Sequence, residues 1–196
     1  SGFDTGLLPI RNQAAGTPPM RHTFDYAPQR TPVGSGTSHL SVIDDRGEIV
    51  SMTTTVEGPF GSRLVAAGFI LNNQMTDFSF EPVRDGRTVA NAPAAGKRPL
   101  SSMSPSIIYG PDGKFFAAIG SPGGSNIIAY VTQAIMALID GHIAMQAAVA
   151  LPHHVNQNGD TRLEQGTALE ALAPQLTAMG HTIAFMELES GLNGIR

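Results

Sequence analysis

Thr37 lies at the boundary between a proline- and glycine-rich segment, residues 1–36, and a chain with regular apolar patterning. If the chain were cut before Thr37, the α-amine of this threonine would become a new N-terminus. An α-amine has an unperturbed pKa of about 8, and a general base works best when its pKa lies near the working pH. Thr37 would then carry a nucleophilic hydroxyl and a base on one residue. A threonine that opens a β-strand is more often structural, so Thr37 alone leaves both interpretations open.

A glycine-rich turn, residues 120–125, stands between a predicted strand and a predicted helix. Glycines allow the backbone to turn several N–H groups toward one point, and the start of a helix adds partial positive charge. This combination suits an oxyanion hole or a bound anion. A plain strand-to-helix turn would use the same glycines, so the motif by itself does not decide.

Two polar segments could bind the charged ends of a small substrate. Ser101 and Ser102 lie in a proline-flanked loop, and their hydroxyls could hold a carboxylate. Gln74 and Asp77 follow a predicted strand on one short turn and could receive an ammonium group. A hydrophilic loop is the alternative for the first segment, and an Asx-type turn or helix cap is the alternative for the second.

His153 and His154 are adjacent, which invites a metal interpretation. Neighbouring side chains on an extended segment point in opposite directions, and no third ligand stands at a useful spacing. The chain has no cysteine, which excludes cysteine-ligated metal, thiol catalysis and disulfides. We therefore expect neither a metal site nor a cofactor.

The composition narrows the classes of partner. The 196 residues carry a net charge of −4, which gives no sign of nucleic-acid or anionic-membrane binding. No apolar stretch approaches the roughly 20 residues of a membrane span. Charged residues make up only 14% of the chain, against about 25% in an average globular chain. So low a fraction predicts a large buried area or a broad surface that meets another chain.

The elements that must position these residues begin with strands. Alternating apolar residues around an Asp-Asp-Arg-Gly turn predict a hairpin over residues 37–56. Residues 67–71 predict a third strand. A second hairpin should join residues 106–109 to residues 115–119 across a Gly-Pro-Asp-Gly turn.

Helical spacing takes over in the second half of the chain. Residues 125–140 and 144–151 predict two helices, and residues 167–180 predict a third that Pro174 should kink or split. Residues 181–188 predict a last strand. Strands followed by helices and a further strand predict a layered α+β fold.

Five segments together resemble the small subunit of the γ-glutamyltranspeptidases. They occur in the order of that family and cover nearly all of the chain after residue 36: residues 37–44, 60–62, 70–79, 97–105 and 120–125. Five matching segments in register are far more specific than any one of them. The resemblance therefore favours the chemical interpretation of each motif.

The resemblance implies the following catalytic parts. Thr37 would be the nucleophile, freed by self-cleavage after Gly36, and Thr55 would lie beside its amine and tune it. Gly123 and Gly124 would supply the N–H groups of the oxyanion hole.

The resemblance also implies how a substrate is held. Ser101 and Ser102 would hold its α-carboxylate, while Gln74 and Asp77 would hold its α-ammonium. Glu57 stands where the family usually has an asparagine that faces this ammonium, so a changed substrate choice is an open question. Residue 38 is a serine where a second threonine is usual, which is a mild change.

The fold implied is that of the N-terminal-nucleophile hydrolases, a four-layer αββα sandwich that is incomplete in this fragment. Residues 1–36 would be the tail of a large subunit encoded upstream, and residues 37–196 would be the small catalytic subunit, truncated at its C-terminus. The partner would be that large subunit, which also carries a carboxylate-binding arginine. The family resemblance favours a periplasmic or secreted protein and leaves a cytoplasmic one open. Residues 80–96 would form a short lid that lacks a tyrosine.

The function expected is cleavage of γ-glutamyl amides such as glutathione, with water or an amine as acceptor of the acyl group. One alternative is a cephalosporin or glutaryl acylase of the same fold, because Glu57 and the short lid could admit other acyl groups. A second alternative is a non-catalytic relative that acts as a binding module. Self-cleavage separates this last class from the enzymes, since a binding module does not need it.

Overall fold

The computed structural model of the protein describes residues 36–196. The described chain forms two compact units, one of residues 36–149 with 190–196 and the other of residues 150–189. All of the predicted catalytic and substrate-binding residues belong to the first unit. Residues 1–35 of the predicted tail lie outside the described residues, so the division of the chain at residue 36 stays a prediction.

The first unit opens with the predicted hairpin, which the structure confirms. Strand β1 (Thr37–Ile43) pairs antiparallel with β2 (Ile49–Thr55), and Thr37 stands directly opposite Thr55. The Asp44 carboxylate closes the turn by accepting the N–H groups of Arg46 at 2.9 Å and of Glu48 at 2.8 Å. The connection is therefore an Asx-type turn.

The two faces of this hairpin differ sharply in chemistry. Side chains alternate across a strand, so every second residue shares a face. The partly buried face carries mainly hydroxyls and an imidazole, whereas the exposed face carries four large apolar side chains, Leu40, Val42, Val50 and Met52. A polar face is thus the covered one in this hairpin.

A short hairpin, with two residues in each strand, replaces the predicted third strand. Strands β3 (Val65–Ala66) and β4 (Phe69–Ile70) pair antiparallel, so the prediction of one strand over residues 67–71 was wrong. Ala67 has φ 49° and Gly68 has φ 82°, as a type I′ turn requires. Alanine is not a residue that signals such a turn, which explains why the sequence pattern missed it.

A similar short hairpin lies in the segment compared above with a lid. Strands β5 (Val83–Arg84) and β6 (Arg87–Thr88) pair antiparallel. Val89 follows them, is 1% exposed, and donates its N–H to the Pro82 carbonyl at 2.9 Å. One end of this segment is therefore anchored in the unit.

A three-stranded antiparallel sheet and two helices complete the first unit. Its strand order is β12 (Asn193–Ile195), β8 (Phe115–Gly120) and β7 (Ser106–Tyr109). The helix predicted over residues 125–140 is confirmed as a single 3-10 turn that leads into α1 (Ile127–Ile139). The predicted second helix is confirmed as the shorter α2 (Met145–Val149).

Helix α1 packs on the sheet through the core of this unit. The core is apolar and almost fully buried, and it consists of Ala117, Ile119, Ile127, Val131, Ala134, Leu138 and Ala148. Burial of each larger aliphatic side chain contributes about 1.5–3 kcal/mol. This core fixes the end of β8 and the start of α1, between which the glycine-rich turn lies.

The second unit is a small α/β layer. Strand β10 (Thr161–Glu164) lies between β9 (His154–Val155), which is antiparallel to it, and β11 (Ile183–Met186), which is parallel. A helical segment joins the two parallel strands. This segment is split at Pro174 into a 3-10 turn and α3 (Ala173–Ala178), as predicted.

Gly180 ends α3 as the sequence predicted. It has φ 94°, its N–H binds the Thr177 carbonyl at 2.9 Å, and the N–H of His181 binds the Leu176 carbonyl at 3.0 Å. This pair of hydrogen bonds is a Schellman motif, in which glycine is favoured because of the left-handed backbone.

The adjacent histidines behave as their extended backbone requires. His153 is 5% exposed, whereas His154 is exposed. Among residues 36–196, no group of three or more histidine, cysteine or acidic side chains lies close enough together to hold a metal ion.

None of the helices in this part of the chain is both long and apolar enough to span a membrane.

Candidate active site

One pocket of about 60 Å³ brings the predicted site residues together. All of them except Gly123 line it. The full lining consists of Thr37, Thr55, Glu57, Gln74, Asp77, Leu100, Ser101, Ser102, Met103, Gly124, Ser125 and Ile127. Leu100, Met103 and Ile127 supply an apolar wall that the sequence reasoning did not identify.

The hydroxyl of Thr55 is the centre of a small hydrogen-bond network. It accepts the Thr37 hydroxyl at 3.1 Å and the Glu57 N–H at 2.8 Å, and it donates to the Gly36 carbonyl at 3.2 Å. A hydroxyl has one proton to donate and two lone pairs to accept with, so Thr55 is fully used. Its proton is thereby directed at the carbonyl of the bond that precedes Thr37.

His39 extends this polar face along the hairpin, and the sequence reasoning assigned it no role. Its ring nitrogens lie 2.8 Å from the Thr53 hydroxyl and 3.0 Å from the Ser41 hydroxyl. Burial lowers the pKa of His39, which favours the neutral imidazole. A Cβ on Gly120 would lie 2.3 Å from this ring, so glycine at that position lets the hairpin approach β8.

Glu57 enters the pocket from a left-handed backbone position. Its φ is 74°, which is uncommon for a residue other than glycine. Asn73 fixes the segment, because its amide N–H₂ donates to the Glu57 carboxylate at 2.9 Å and its oxygen accepts the Gly58 N–H at 2.9 Å. The carboxylate is thereby held toward the lining of the pocket.

Gln74 and Asp77 occupy one 3-10 turn, and the amide of Gln74 donates to the Asp77 carboxylate. Burial raises the pKa of Asp77, and the nearby charge of Glu57 raises it further. Among the described residues that line the pocket, none carries a positive charge. The two carboxylates therefore make this end of the pocket acidic and suited to a cation.

The serine loop forms a further part of the pocket lining. The Ser101 hydroxyl accepts the N–H of Met103 at 3.2 Å, and the Ser104 hydroxyl donates to the Ser102 carbonyl at 3.0 Å. These local bonds fold the loop so that Ser101 and Ser102 both reach the lining. Hydroxyl groups in this loop can donate hydrogen bonds to an anion.

The glycine-rich turn adopts a backbone that only glycine takes readily. Gly123 has φ 139° and Gly124 has φ 56°. A Cβ on Gly123 would lie 2.7 Å from the ring of Tyr130, which is fully buried. Gly124 and Ser125 line the pocket, whereas Gly123 lies directly before them in the turn.

Solved structures share this fold. A crystal structure of an acivicin-inhibited γ-glutamyltranspeptidase matches with a TM-score of 0.73 and 39% identity, over 81% of this chain and 88% of that chain. A cephalosporin acylase from Bacillus halodurans matches with a TM-score of 0.65 and 27% identity, over 76% of this chain and 27% of that chain. The mixed α/β fold is thus that of enzymes of the N-terminal-nucleophile class.

The family follows from the sequence comparisons. The γ-glutamyltranspeptidase family model matches residues 9–196, and the chain belongs to that family. The glutathione hydrolase proenzyme of Pseudomonas aeruginosa is 42% identical over 158 residues, which are 75% of this chain and 28% of that protein. The proenzyme of Escherichia coli is 40% identical over 162 residues, which are 77% of this chain and 27% of that protein. The chain therefore spans only about a quarter of the length of these curated relatives.

Proposed function

We propose that the full-length protein cleaves γ-glutamyl amides such as glutathione and passes the γ-glutamyl group to water or to an amine. The observation that carries the proposal is the arrangement of one pocket. Its paired hydroxyls, Thr37 and Thr55, share the pocket with the carboxylates of Glu57 and Asp77 and with the hydroxyls of the serine loop. The family and its glutathione hydrolase proenzymes support this assignment.

Self-cleavage before Thr37 is the first step that we propose. The Thr37 hydroxyl attacks the Gly36 carbonyl carbon, the C–N bond breaks, and the proton passes to the nitrogen of Thr37. The product is an ester, which water hydrolyses to a free carboxyl group on Gly36 and a free amine and hydroxyl on Thr37. The Thr55 hydroxyl supports this step, because its proton already points at the Gly36 carbonyl oxygen, on which negative charge develops.

Acyl transfer then uses the new N-terminus. The amine of Thr37 accepts the proton of its own hydroxyl as the oxygen attacks the γ-carbonyl of the donor. The N–H groups of Gly123 and Gly124 stabilise the oxyanion, and the amine returns the proton to the leaving group. The γ-glutamyl ester is finally resolved by water or by an acceptor amine.

The acidic residues and the serine loop would together recognise the amino-acid head of the donor. Asp77, Glu57 and Gln74 would surround the α-ammonium, and Ser101 and Ser102 would donate to the α-carboxylate. Charge-assisted hydrogen bonds of this kind contribute about 1.5–3 kcal/mol each. The acidic end would also disfavour donors that carry no positive charge.

A large subunit from the same precursor would complete the enzyme. The proenzyme relatives and the exposed apolar face of the β1–β2 hairpin support such a partner. With it the sheets would form the four-layer αββα sandwich of this class, and the partner would supply the carboxylate-binding arginine. We place the complete protein in the periplasm or outside the cell, which fractionation of producing cells would test.

A cephalosporin or glutaryl acylase is the second candidate. The structural match to the Bacillus halodurans acylase favours it. Glutaryl donors carry a carboxylate but no α-ammonium at the acyl end. The carboxylates of Glu57 and Asp77 would repel this group, so the γ-glutamyl proposal fits the pocket better.

The test uses the full-length precursor and two substrates. Mass spectrometry should find two chains split between Gly36 and Thr37, and Thr37→Ala should give one intact chain. Ser38→Ala is the matched control, because this exposed neighbour points away from the pocket face, and it should still split. The processed enzyme should hydrolyse γ-glutamyl-p-nitroanilide faster than glutaryl-p-nitroanilide, and the reverse preference would favour the acylase.

A further inference from the structure

Asn91 is a buried polar residue to which the catalytic mechanism assigns no part. It is 8% exposed, and the chain around it contains buried Val89 and Ala92. Its side-chain N–H₂ donates to the backbone carbonyl of Asp77 at 2.5 Å, and its side-chain oxygen accepts the backbone N–H of Leu100 at 2.9 Å. One amide group thus joins the turn that bears Asp77 to the peptide that precedes Ser101.

The orientation of this amide follows from its partners. A backbone carbonyl only accepts and a backbone N–H only donates, so Asn91 must place its nitrogen toward Asp77 and its oxygen toward Leu100. A third bond strengthens the link, because the Asn91 carbonyl accepts the N–H of Ser79 at 3.0 Å. Only an amide of this length offers both a donor and an acceptor at the two sites.

Lys97 holds the backbone on both sides of Asn91. Its ammonium donates to the Ala90 carbonyl and to the Ala92 carbonyl, the latter at 3.0 Å. These two carbonyls belong to the residues before and after Asn91. The ammonium therefore fixes the short bend from which the amide reaches its two partners.

We infer that Asn91 is a positioning residue that sets the separation between the acidic end of the pocket and its serine loop. The inference rests on the proposed function, since the α-ammonium and the α-carboxylate of the donor are attached to one carbon atom. Their separation is fixed by covalent geometry, so the distance between the acidic residues and the serine loop must match it. A displacement of about 1 Å at a catalytic site can cost about a hundredfold in rate.

A purely structural role for Asn91 predicts a different outcome. If the amide only stabilised the unit, its loss would loosen every contact in the pocket. Ligands with one charged head and ligands with two would then weaken alike. If Asn91 sets a separation, a ligand that uses one end of the pocket can follow that end when it shifts, and only a two-headed ligand is penalised.

The experiment compares three competitive inhibitors of the processed full-length enzyme. L-glutamate carries both heads, glutarate lacks the α-ammonium, and 4-aminobutyrate lacks the α-carboxylate. Asn91→Asp keeps the acceptor oxygen and removes the donor. Lys97→Met removes the ammonium that binds the Ala90 and Ala92 carbonyls and leaves the Asn91 amide in place. Thr88→Ala is the matched control, because Thr88 is exposed on β6 in the same segment.

For Asn91→Asp we expect the inhibition constant of L-glutamate and the KM of γ-glutamyl-p-nitroanilide to rise about tenfold or more. The constants for glutarate and 4-aminobutyrate should stay close to those of the parent enzyme. Lys97→Met should give the same pattern with a smaller rise, and Thr88→Ala should give none. An equal rise for all three inhibitors, or no rise for L-glutamate, would overturn the inference. Failure of the parent enzyme to turn over the γ-glutamyl donor would instead overturn the proposed function.

Discussion

Replacement of Thr55 by valine tests the hydrogen-bond network that joins Thr37, the proposed nucleophile, to the peptide bond before it. Valine has nearly the shape of threonine but no hydroxyl. The change removes the contacts to the Thr37 hydroxyl, at 3.1 Å, and to the Gly36 carbonyl, at 3.2 Å. It also leaves the Glu57 N–H without the partner it has at 2.8 Å.

The magnitude depends on which of these contacts acts during self-cleavage. Removal of one donor from an oxyanion hole costs about 10²–10³ in rate when the site excludes water. Thr55 is only partly buried, so we expect Thr55→Val to slow self-cleavage by about 10–100-fold. Thr55→Ser retains the hydroxyl and should cleave within about fivefold of the parent rate. A fivefold change in rate corresponds to about 1 kcal/mol, which is the net contribution of one hydrogen bond.

The assay follows conversion of the full-length precursor to its two fragments over time by denaturing gel and mass spectrometry. Circular dichroism of each precursor checks that the fold is retained. If Thr55→Val splits as fast as the parent protein, the Thr55 proton does not assist attack on the Gly36 carbonyl. If Thr55→Ser is as slow as Thr55→Val, the retained hydroxyl does not sustain self-cleavage, and the reasoning from the network is wrong.

Two further predictions follow from the same site. Gly36→Ala should slow self-cleavage, because its Cβ would lie 2.5 Å from the Glu57 carbonyl oxygen. Gly47→Asn is the control, because Gly47 lies in an open turn with φ 83°, and this variant should split normally. Equal rates for the two variants in the same gel assay would refute the steric argument. Glu57→Gln should move the acid limb of the kcat/KM profile for γ-glutamyl-p-nitroanilide to lower pH. The charge of Glu57 helps to raise the pKa of Asp77, and without it Asp77 stays ionised, and able to bind the donor ammonium, to lower pH. An acid limb that stays in place or moves to higher pH would show that Asp77 does not control binding.

The sequence predicted the elements whose patterns are long or carry strong turn residues. The β1–β2 hairpin and α1 each span enough residues to show their periodicity. Pro174 and Gly180 restrict the backbone and so indicate where the last helical segment is split and where it ends. It did not predict β9 or β10, because strands of two and four residues hold too few alternations. In addition, β10 pairs with β11, which follows it only after a helical segment.

The candidate site was predicted where one segment carries several serines or several glycines close together. The serine loop and the glycine-rich turn are of this kind, and the structure brings both to the pocket. Asn91 escaped notice because nothing local distinguishes it from any other loop asparagine. Its importance arises only when the Asp77 turn and the Leu100 peptide come within reach of one amide. A residue that links two segments is visible only when both are in place.

The β1–β2 hairpin shows why a period of two residues does not by itself give the direction of a strand. The period tells which residues share a face, and hydrophobicity would then place Leu40, Val42, Val50 and Met52 inside. The opposite face is the covered one, because Gly120 leaves room for the His39 ring and the Ser51 hydroxyl reaches the Ile119 carbonyl at 3.5 Å.

The four apolar side chains are left 38–52% exposed. Covering them would contribute about 1 kcal/mol each on the scale of full side-chain burial. Such a gain favours a second layer over this face. The low fraction of charged residues, only 14% of the chain, favours it as well. The same alternation that turns Thr37 and Thr55 toward the pocket thus offers the other side of the hairpin to a partner.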